Sequence, residues 1–527
     1  MKLALHVPRF TPRIGVDVGG TNTDAVVMDG SALLAWAKTP TTPEVTGGIV
    51  ASITEALARA SVPPARVSAV MLGTTHFTNA VAQGEGRDLA PTAVVRLGLP
   101  ATASVPPLAD WPAGLRRQID GHGYLAHGGY EFDGRPIAPL DPSELSEIAR
   151  QIRASGARAV AVCAVFSPIR ADLEEQAAAR LRQALPEARF SLSSSIGRLG
   201  LLERENACVL NACLSELAER TVDGMQRALG ELGVTAPLYL SQNDGTLMSA
   251  DFARAYPVLT FASGPTNSMR GAAALSGLRE AIVVDVGGTT SDIGVLSGGF
   301  PRQASVAVQI AGVRTNFRMP DILSLGLGGG SRVRTDPLRV GPESVGYALL
   351  QQARVCGGPT LTATDAAVAT GALALGDPGR LEPAERALAP AVLDVVRQLL
   401  AEGIDQLKTS AEPQPVVLVG GGSVLVQGDL PGASVVVRPE HYAVANAIGA
   451  AIAQVSGEVD RVRPLDGRSR ADLLDEARRD ASARAIAAGA DPASLEVVDE
   501  EDVPLAYLPG NATRVRLKVV GTLRASR

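Results

Sequence analysis

Aromatic side chains are scarce in this chain: nine Phe, seven Tyr and two Trp, 3% of 527 residues. Proteins that grip single-stranded nucleic acid stack bases on such rings, so that ligand is not expected. Charge of one sign is lacking as well. Lys and Arg number 49 against 55 Asp and Glu, for a net charge of −6, so there is no dominant basic balance to hold a phosphate backbone. The four cysteines, Cys163, Cys208, Cys213 and Cys356, are too few and too scattered for a disulfide framework. They also lack the Cys-x-x-Cys spacing of a redox pair or cluster ligand. No run of 18 apolar residues occurs, which excludes a membrane-spanning helix. Met1–Arg13 holds no apolar stretch of signal-peptide length. A soluble protein of the reducing cytoplasm is the expectation.

Histidine is equally sparse. The five are His6, His76, His122, His127 and His441, and no His-x-His pair exists. A zinc-centred cyclic amidase needs histidines converging on the metal, so that chemistry is not expected. His122 and His127 stand in GHGYLAHGG, which reads as a glycine-rich loop facing solvent or substrate.

What the chain does have is apolar material, 46% of residues against 20% charged, enough for proper cores. Its length exceeds one compact domain at roughly 100–200 residues each. The organising feature is a repeat. Ile14–Gly30 reads IGVDVGGTNTDAVVMDG and Ile282–Gly298 reads IVVDVGGTTSDIGVLSG, identical at ten of seventeen positions. Each is an apolar run, an Asp, a Gly-Gly-Thr turn, a second Asp and another apolar run, the pattern of a β-hairpin. The separation is far too long for a solenoid, whose units run about 20–50 residues. Two domains opening with the same hairpin fit it.

The chemistry of such a turn is specific. Glycines admit close backbone approach to a ligand, and successive N–H groups form a nest suited to phosphate. The hydroxyls of Thr21, Thr23, Thr289 and Thr290 add donors. Asp17 and Asp285 repel phosphate directly, but suit Mg²⁺ held between carboxylate, phosphate oxygens and water. Two facing hairpins would clamp a polyphosphate. Further glycine loops follow apolar runs in ILSLGLGGGS (Ile322–Ser331) and VVLVGGGS (Val416–Ser423), and FASGP (Phe261–Pro265) precedes a helix over Thr266–Ser276. Helices are expected over Leu145–Ala154, Leu173–Leu185, Glu203–Arg220 and Ala387–Leu400, and a buried strand over Ala159–Phe166. Ser469–Ala488 reads as an exposed amphipathic helix and Arg514–Leu523 as a strand. The boundaries expected are 1–200 and 201–465 for two large domains and 466–527 for a small α+β appendage.

The motifs DVGGTNTD (Asp17–Asp24), GTTHFTNAV (Gly73–Val81), ERENACVLNA (Glu203–Ala212), SQNDG (Ser241–Gly245), SGP (Ser263–Pro265), DVGGTTSD (Asp285–Asp292) and GLGGGS (Gly326–Ser331) occur in that order. Together they resemble the hydantoinase/oxoprolinase family, specifically its A-type ATP-binding subunit, over roughly residues 12–455. The resemblance implies an α/β protein of the actin-like ATPase superfamily, with two ribonuclease-H-like domains around a nucleotide cleft, and it implies ATP and Mg²⁺. It assigns Asp17, Gly19, Gly20, Thr21 and Thr23 to the first phosphate loop. To the second it assigns Asp285, Gly287, Gly288, Thr289 and Asp292, with Thr290 beside them. Gly328, Gly329 and Gly330 join the nucleotide site, and Gly420, Gly421 and Gly422 form the adenosine loop.

On the substrate side the matching motifs nominate Thr74, Thr75, His76, Asn79, Arg204, Asn243, Asp244, Ser263 and Gly264. Asp24, Asp292 or Asp244 is expected to position the attacking water or activate the substrate, with Asp17 and Asp285 organising Mg²⁺. The implied activity is ATP-dependent ring-opening hydrolysis of a cyclic amide of the hydantoin, 5-oxoproline or lactam type. The alternatives are a carboxylase subunit of the acetone or acetophenone type, an ATP-driven activating or assembly protein, and a simple sugar kinase. The family's habits imply a B-type partner subunit and an oligomer. The chain departs from the family pattern at His76, at GPESVGYALLQQARVCG (Gly341–Gly357), where a Pro-rich stretch is expected, and in lacking the long C-terminal extension.

Overall fold

The computed structural model describes residues 11–20, 22–41, 45–82, 88–304, 307–463, 465, 467–505 and 512–524. Thr21, nominated for the first phosphate loop, lies outside them. No helix among the described residues is long and apolar enough to cross a membrane.

The two repeats fold alike. Pro12–Val18 pairs antiparallel with Asn22–Asp29, and that strand pairs antiparallel with Ala32–Pro40. Ala69–Thr74 then lies parallel to Pro12–Val18, and Leu238–Ser241 parallel to Ala69–Thr74. The second repeat does the same. Ala281–Val286 pairs antiparallel with Ser291–Ser297, which pairs antiparallel with Phe300–Pro301. Gln414–Val419 lies parallel to Ala281–Val286, and Ala433–Val437 parallel to Gln414–Val419. This is the two-lobed α/β architecture expected. The hairpin strands are apolar along both faces, and almost every residue of Pro12–Val18 is buried. Such runs arise where helices cover a sheet on both sides.

The strands do not part at residues 200 and 465. The first sheet has nine strands and draws on residues 12–74, 238–249 and 455–521. Val455–Arg463, Glu496–Pro504 and Thr513–Gly521 extend its edge beside Leu247–Ser249. The physical reason is a shared core. Val515, Leu517 and Val519 pack with Leu473, Ala477, Ala481 and Ala485 of helix Arg470–Ala487, against Met71 and Leu247. A unit this small is marginal alone because it buries little of its surface; continuing an existing sheet supplies the missing face. The helix expected to be exposed is thus docked along one side.

Residues 92–192 form a separate four-stranded parallel sheet in the order His122–His127, Thr92–Leu99, Ala159–Ala164 and Arg189–Leu192. His122 and His127 therefore sit at the ends of a strand, not in a loop, and His127 Nδ1 lies 3.2 Å from Glu144. The helix expected over Glu203–Arg220 is two, Leu201–Cys213 and Ser215–Glu231, meeting at Leu214. Cys208 and Cys213 are buried core residues.

Two helices sit between the lobes. Ser263–Ser276 and Ala445–Ile452 pack on each other and on both sheets. Met269, Ala272 and Ala445 meet Val283 and Val417 of the second sheet, while Val444, Ala447 and Ile448 meet Val26 and Met28 of the first. Asn267 and Ser268 of the first helix and Asn446 of the second face the cleft.

Candidate functional site

The register of the hairpins places the acids. Asp17 lies directly across from Asp24, and Asp285 across from Asp292. Cross-strand partners share a sheet face, so each hairpin presents two carboxylates together. The turns close identically, with Gly19 N–H donating to Asn22 O (3.0 Å) and Gly287 N–H to Thr290 O (2.9 Å). Among the described residues, the N–H groups of Gly20, Gly288 and Thr289 at the turn tips meet no partner, as a nest for an oxyanion requires.

One helix start holds both hairpins. Asn267 Nδ2 donates to Asp17 Oδ1 (3.3 Å), and the next residue, Ser268, donates through Oγ to Asp285 Oδ2 (2.5 Å). The second interlobe helix adds Asn446, whose Nδ2 reaches Asp17 Oδ2 (3.0 Å) and Asp24 Oδ2 (3.1 Å). Lys38 Nζ stands 2.5 Å from Asp24 Oδ1. Gly73 flanks Asp17 on the neighbouring strand. A Cβ there would come within 2.4 Å of Asp17 Oδ1 and 2.2 Å of Asn267 Nδ2, so only glycine lets these groups meet.

The carboxylates are desolvated and crowd one another. Burial pushes Asp17 up to about 6, and the charges of Asp24 and Asp285 add to it against the Asn267 and Asn446 hydrogen bonds. Burial likewise raises Asp285 and takes Asp292 up to about 6, despite a 2.5 Å bond from Ser324 Oγ to Asp292. Desolvated like charges disfavour ionisation. Four carboxylates from two lobes, facing open glycine turns, are a donor set suited to a divalent cation. Among the described residues no three acids, histidines or cysteines converge tightly enough to hold an ion unaided. Such an ion would take the rest of its shell from phosphate and water.

The remaining glycines divide into support and opening. Gly328 N–H donates to Ser331 Oγ (2.8 Å), Gly329 N–H to Gly287 O (3.0 Å) and Gly330 N–H to Gly288 O (2.7 Å). The amides of this loop, which is expected to join the nucleotide site, buttress the second hairpin. Gly420 is wedged beneath Asp285, with φ +81° and its N–H on Tyr442 O (2.9 Å). Gly421 faces open space. Thr23 is buried, and its hydroxyl lies 3.2 Å from Thr41 Oγ1, which donates to Gly19 O.

On the substrate side, Ser263 Oγ accepts from Thr74 N–H (3.1 Å) and donates to Thr74 O (3.0 Å), pinning the helix start to the strand beside Asp17. Gly264 packs near Thr75. Thr74 Oγ1 accepts from His76 N–H, and Asn79 turns back to Thr75. Burial holds the His76 imidazole below its usual value.

Three nominated residues are turned to structural work. Arg204 is buried, and its nitrogens donate to Ser193 Oγ and to the carbonyls of Ala164, Arg198 and Gly200. Asn243 ties Val258, Arg318 and Ala262 together. Burial would raise Asp244, but Lys518 Nζ at 2.7 Å outweighs it and, with Thr246, holds the carboxyl at about 2, too acidic for a general base. Lys518 arrives on a C-terminal strand, which the spacing around SQNDG could not reveal. Lys38, Asn267, Ser268 and Asn446 were missed. The one signal was their polarity within otherwise small or apolar segments such as SGPTNSMRGAAA and AVANAIGAAIA.

These features define an α/β protein whose two like lobes enclose a glycine-lined, carboxylate-rich cleft. The chain belongs to the hydantoinase/oxoprolinase family: residues 13–185 match its N-terminal region and residues 204–459 its hydantoinase/oxoprolinase domain. It is 30% identical over 423 residues to caprolactamase subunit alpha of Pseudomonas jessenii, an alignment covering 74% of this chain and 58% of that one. It is 26% identical over 401 residues to the acetophenone carboxylase gamma subunit of Aromatoleum aromaticum, covering 68% of this chain and 53% of that one. The chain thus spans a little over half the length of these relatives. The crystal structure of the ATP-dependent caprolactamase from Pseudomonas jessenii superposes with a TM-score of 0.76 at 22% identity, covering 97% of this chain and 88% of that one. Nucleotide-free acetone carboxylase superposes at 0.70 and 17%, covering 98% and 89%. Both likenesses establish the fold.

Proposed function

We propose that the protein is an ATP-dependent enzyme that opens a cyclic amide, of the hydantoin, 5-oxoproline or lactam type, by phosphoryl activation of the amide oxygen. The observation that carries this is the pair of Asp-Gly-Gly-Thr hairpins, held face to face by Asn267 and Ser268, each presenting two carboxylates side by side. The name of the caprolactamase relative supports the choice of a lactam.

In this reading the N–H groups of Gly20, Gly288 and Thr289 receive the phosphates. Asp17 and Asp285 would hold Mg²⁺, which would supply charge neutralisation at the phosphates. Gly421 admits the adenosine, while Gly422 packs against Val286 and Gly287 of the second hairpin. Thr74, Thr75 and His76, beside Asp17, border the reacting amide. Phosphoryl transfer asks chiefly for positioning and charge neutralisation, which a rigid two-hairpin clamp provides. Asp24 or Asp292 positions the attacking water; Asp244 and Arg204 do not take part. A closing cleft keeps bulk water away from the activated amide.

A second reading is favoured by the acetophenone carboxylase match: the same phosphoryl step serving carboxylation. The relatives' names as subunits support a complex with a second, B-type chain. The test is ADP release with Mg·ATP across hydantoin, 5-oxoproline, larger lactams, and acetone or acetophenone with and without bicarbonate. Stimulation by a cyclic amide with a matching ring-opened product is the expected result. Bicarbonate-dependent turnover with a ketone would replace it with the carboxylase reading. Folded protein that binds no nucleotide would sink both.

A further inference from the structure

Lys38 stands outside every motif that marks the cleft, yet the sheet delivers it there. It sits on Ala32–Pro40 directly opposite Asp24, and Asp24 sits directly opposite Asp17. Three adjacent strands therefore present Lys38, Asp24 and Asp17 as one row on the face toward the second lobe. Among the described residues, the Lys38–Asp24 contact is the one salt bridge made by the four cleft aspartates. Lys38 is also reachable, its side chain 31% exposed where that of Asp24 is 4% exposed.

The loop at 420–422 packs against the second hairpin at Val286 and Gly287 while its Gly421 faces open space, so the nucleoside end of a bound nucleotide belongs over that lobe. The terminal phosphoryl group then points toward the first hairpin and Lys38. We propose that Lys38 is the cation that meets the terminal phosphoryl group of ATP, leaving Asp24 for it when the nucleotide enters. This rests on the ATP reading given above. A lysine ammonium is a compact point charge on a flexible stem, able to swing between a carboxylate and a phosphate. Its charge-assisted hydrogen bonds are about twice as strong as neutral ones. The exchange frees one Asp24 oxygen while Asn446 continues to hold the other. A nucleoside diphosphate lacks the group that draws Lys38 away, so Lys38 discriminates ATP from ADP.

The test is calorimetric binding of ADP and of a non-hydrolysable ATP analogue, both with Mg²⁺, to wild-type, Lys38→Ala, Lys38→Gln and Lys38→Arg protein. For Ala and Gln, analogue affinity is expected to fall tenfold or more while ADP affinity changes less than threefold, with Arg restoring most of the loss. The ratio of the two affinities reads only folded, binding-competent molecules, so partial unfolding leaves it unmoved. Equal losses for both nucleotides, or none for either, would overturn the role of Lys38. Wild-type protein that binds neither nucleotide would instead overturn the ATP reading, and this inference with it.

Discussion

Two neighbouring glycines carry opposite expectations. Gly420 has φ +81° and ψ 153°, a region that essentially only glycine occupies, at a cost of about 1–3 kcal/mol for other residues. An alanine Cβ there would lie 2.1 Å from Asp285 Oδ1 and 2.5 Å from Val286 O. Overpacking of this kind adds about 1–3 kcal/mol. Gly420→Ala should therefore destabilise the nucleotide-free second lobe by about 2–6 kcal/mol, the sum of those two costs. It should also displace Asp285. At Gly421 a Cβ meets nothing within 4 Å, and surface changes of that sort usually stay within about 0.5 kcal/mol. Gly421→Ala should leave nucleotide-free stability nearly unchanged and yet weaken nucleotide binding, because its open side is where the ligand's backbone contact forms. Urea midpoints without nucleotide and calorimetric affinities for Mg·ATP analogues separate the two. Equal destabilisation by both variants would refute the reasoning, as would a Gly421→Ala protein that binds nucleotide like wild type.

The raised Asp17 carboxyl, at about 6, has a stability signature. Its stabilising contribution is fully present below the unfolded carboxylate value and lost as pH rises through about 6. Asp17→Asn should therefore gain stability relative to wild type between pH 4 and 7 without nucleotide, checked by urea denaturation at each pH; a pH-independent difference would contradict it. Asp244→Asn leaves Lys518 buried without its partner and should cost about 3–5 kcal/mol. ATP turnover per folded molecule should persist, whereas a general base would be lost by a large factor. Arg96 and Glu205 form a buried two-pronged pair, 2.6 and 2.5 Å. Arg96→Met or Glu205→Met alone should cost about 3–5 kcal/mol, the double variant much less, measured as a double-mutant cycle of urea midpoints.

Sequence alone determined the hairpins and their equivalence. Their signal is local: an apolar run, a Gly-Gly-Thr turn and a second apolar run dictate strand, turn and strand within seventeen residues. The register that sets Asp17 opposite Asp24 and Asp285 opposite Asp292 is visible only in the structure. The order of motifs was likewise enough to name the family. Tertiary structure alone decided what acts on those carboxylates. Asn267, Ser268 and Asn446 reach them from helices whose small residues announce packing and no partner. Lys38 arrives through strand register. Arg204 and Asp244 have the residue types of a site, but long-range partners, Ala164 O and Lys518, draw them into the framework. The division of the chain was hidden for the same reason. Val515, Leu517 and Val519 read as a strand wherever they are placed, and only the sheet edge at Leu247–Ser249 and the shared core with Met71 fix them to the first lobe. Local spacing encodes turns and faces, whereas a hydrogen-bond partner hundreds of residues away is selected by the three-dimensional packing of the whole chain.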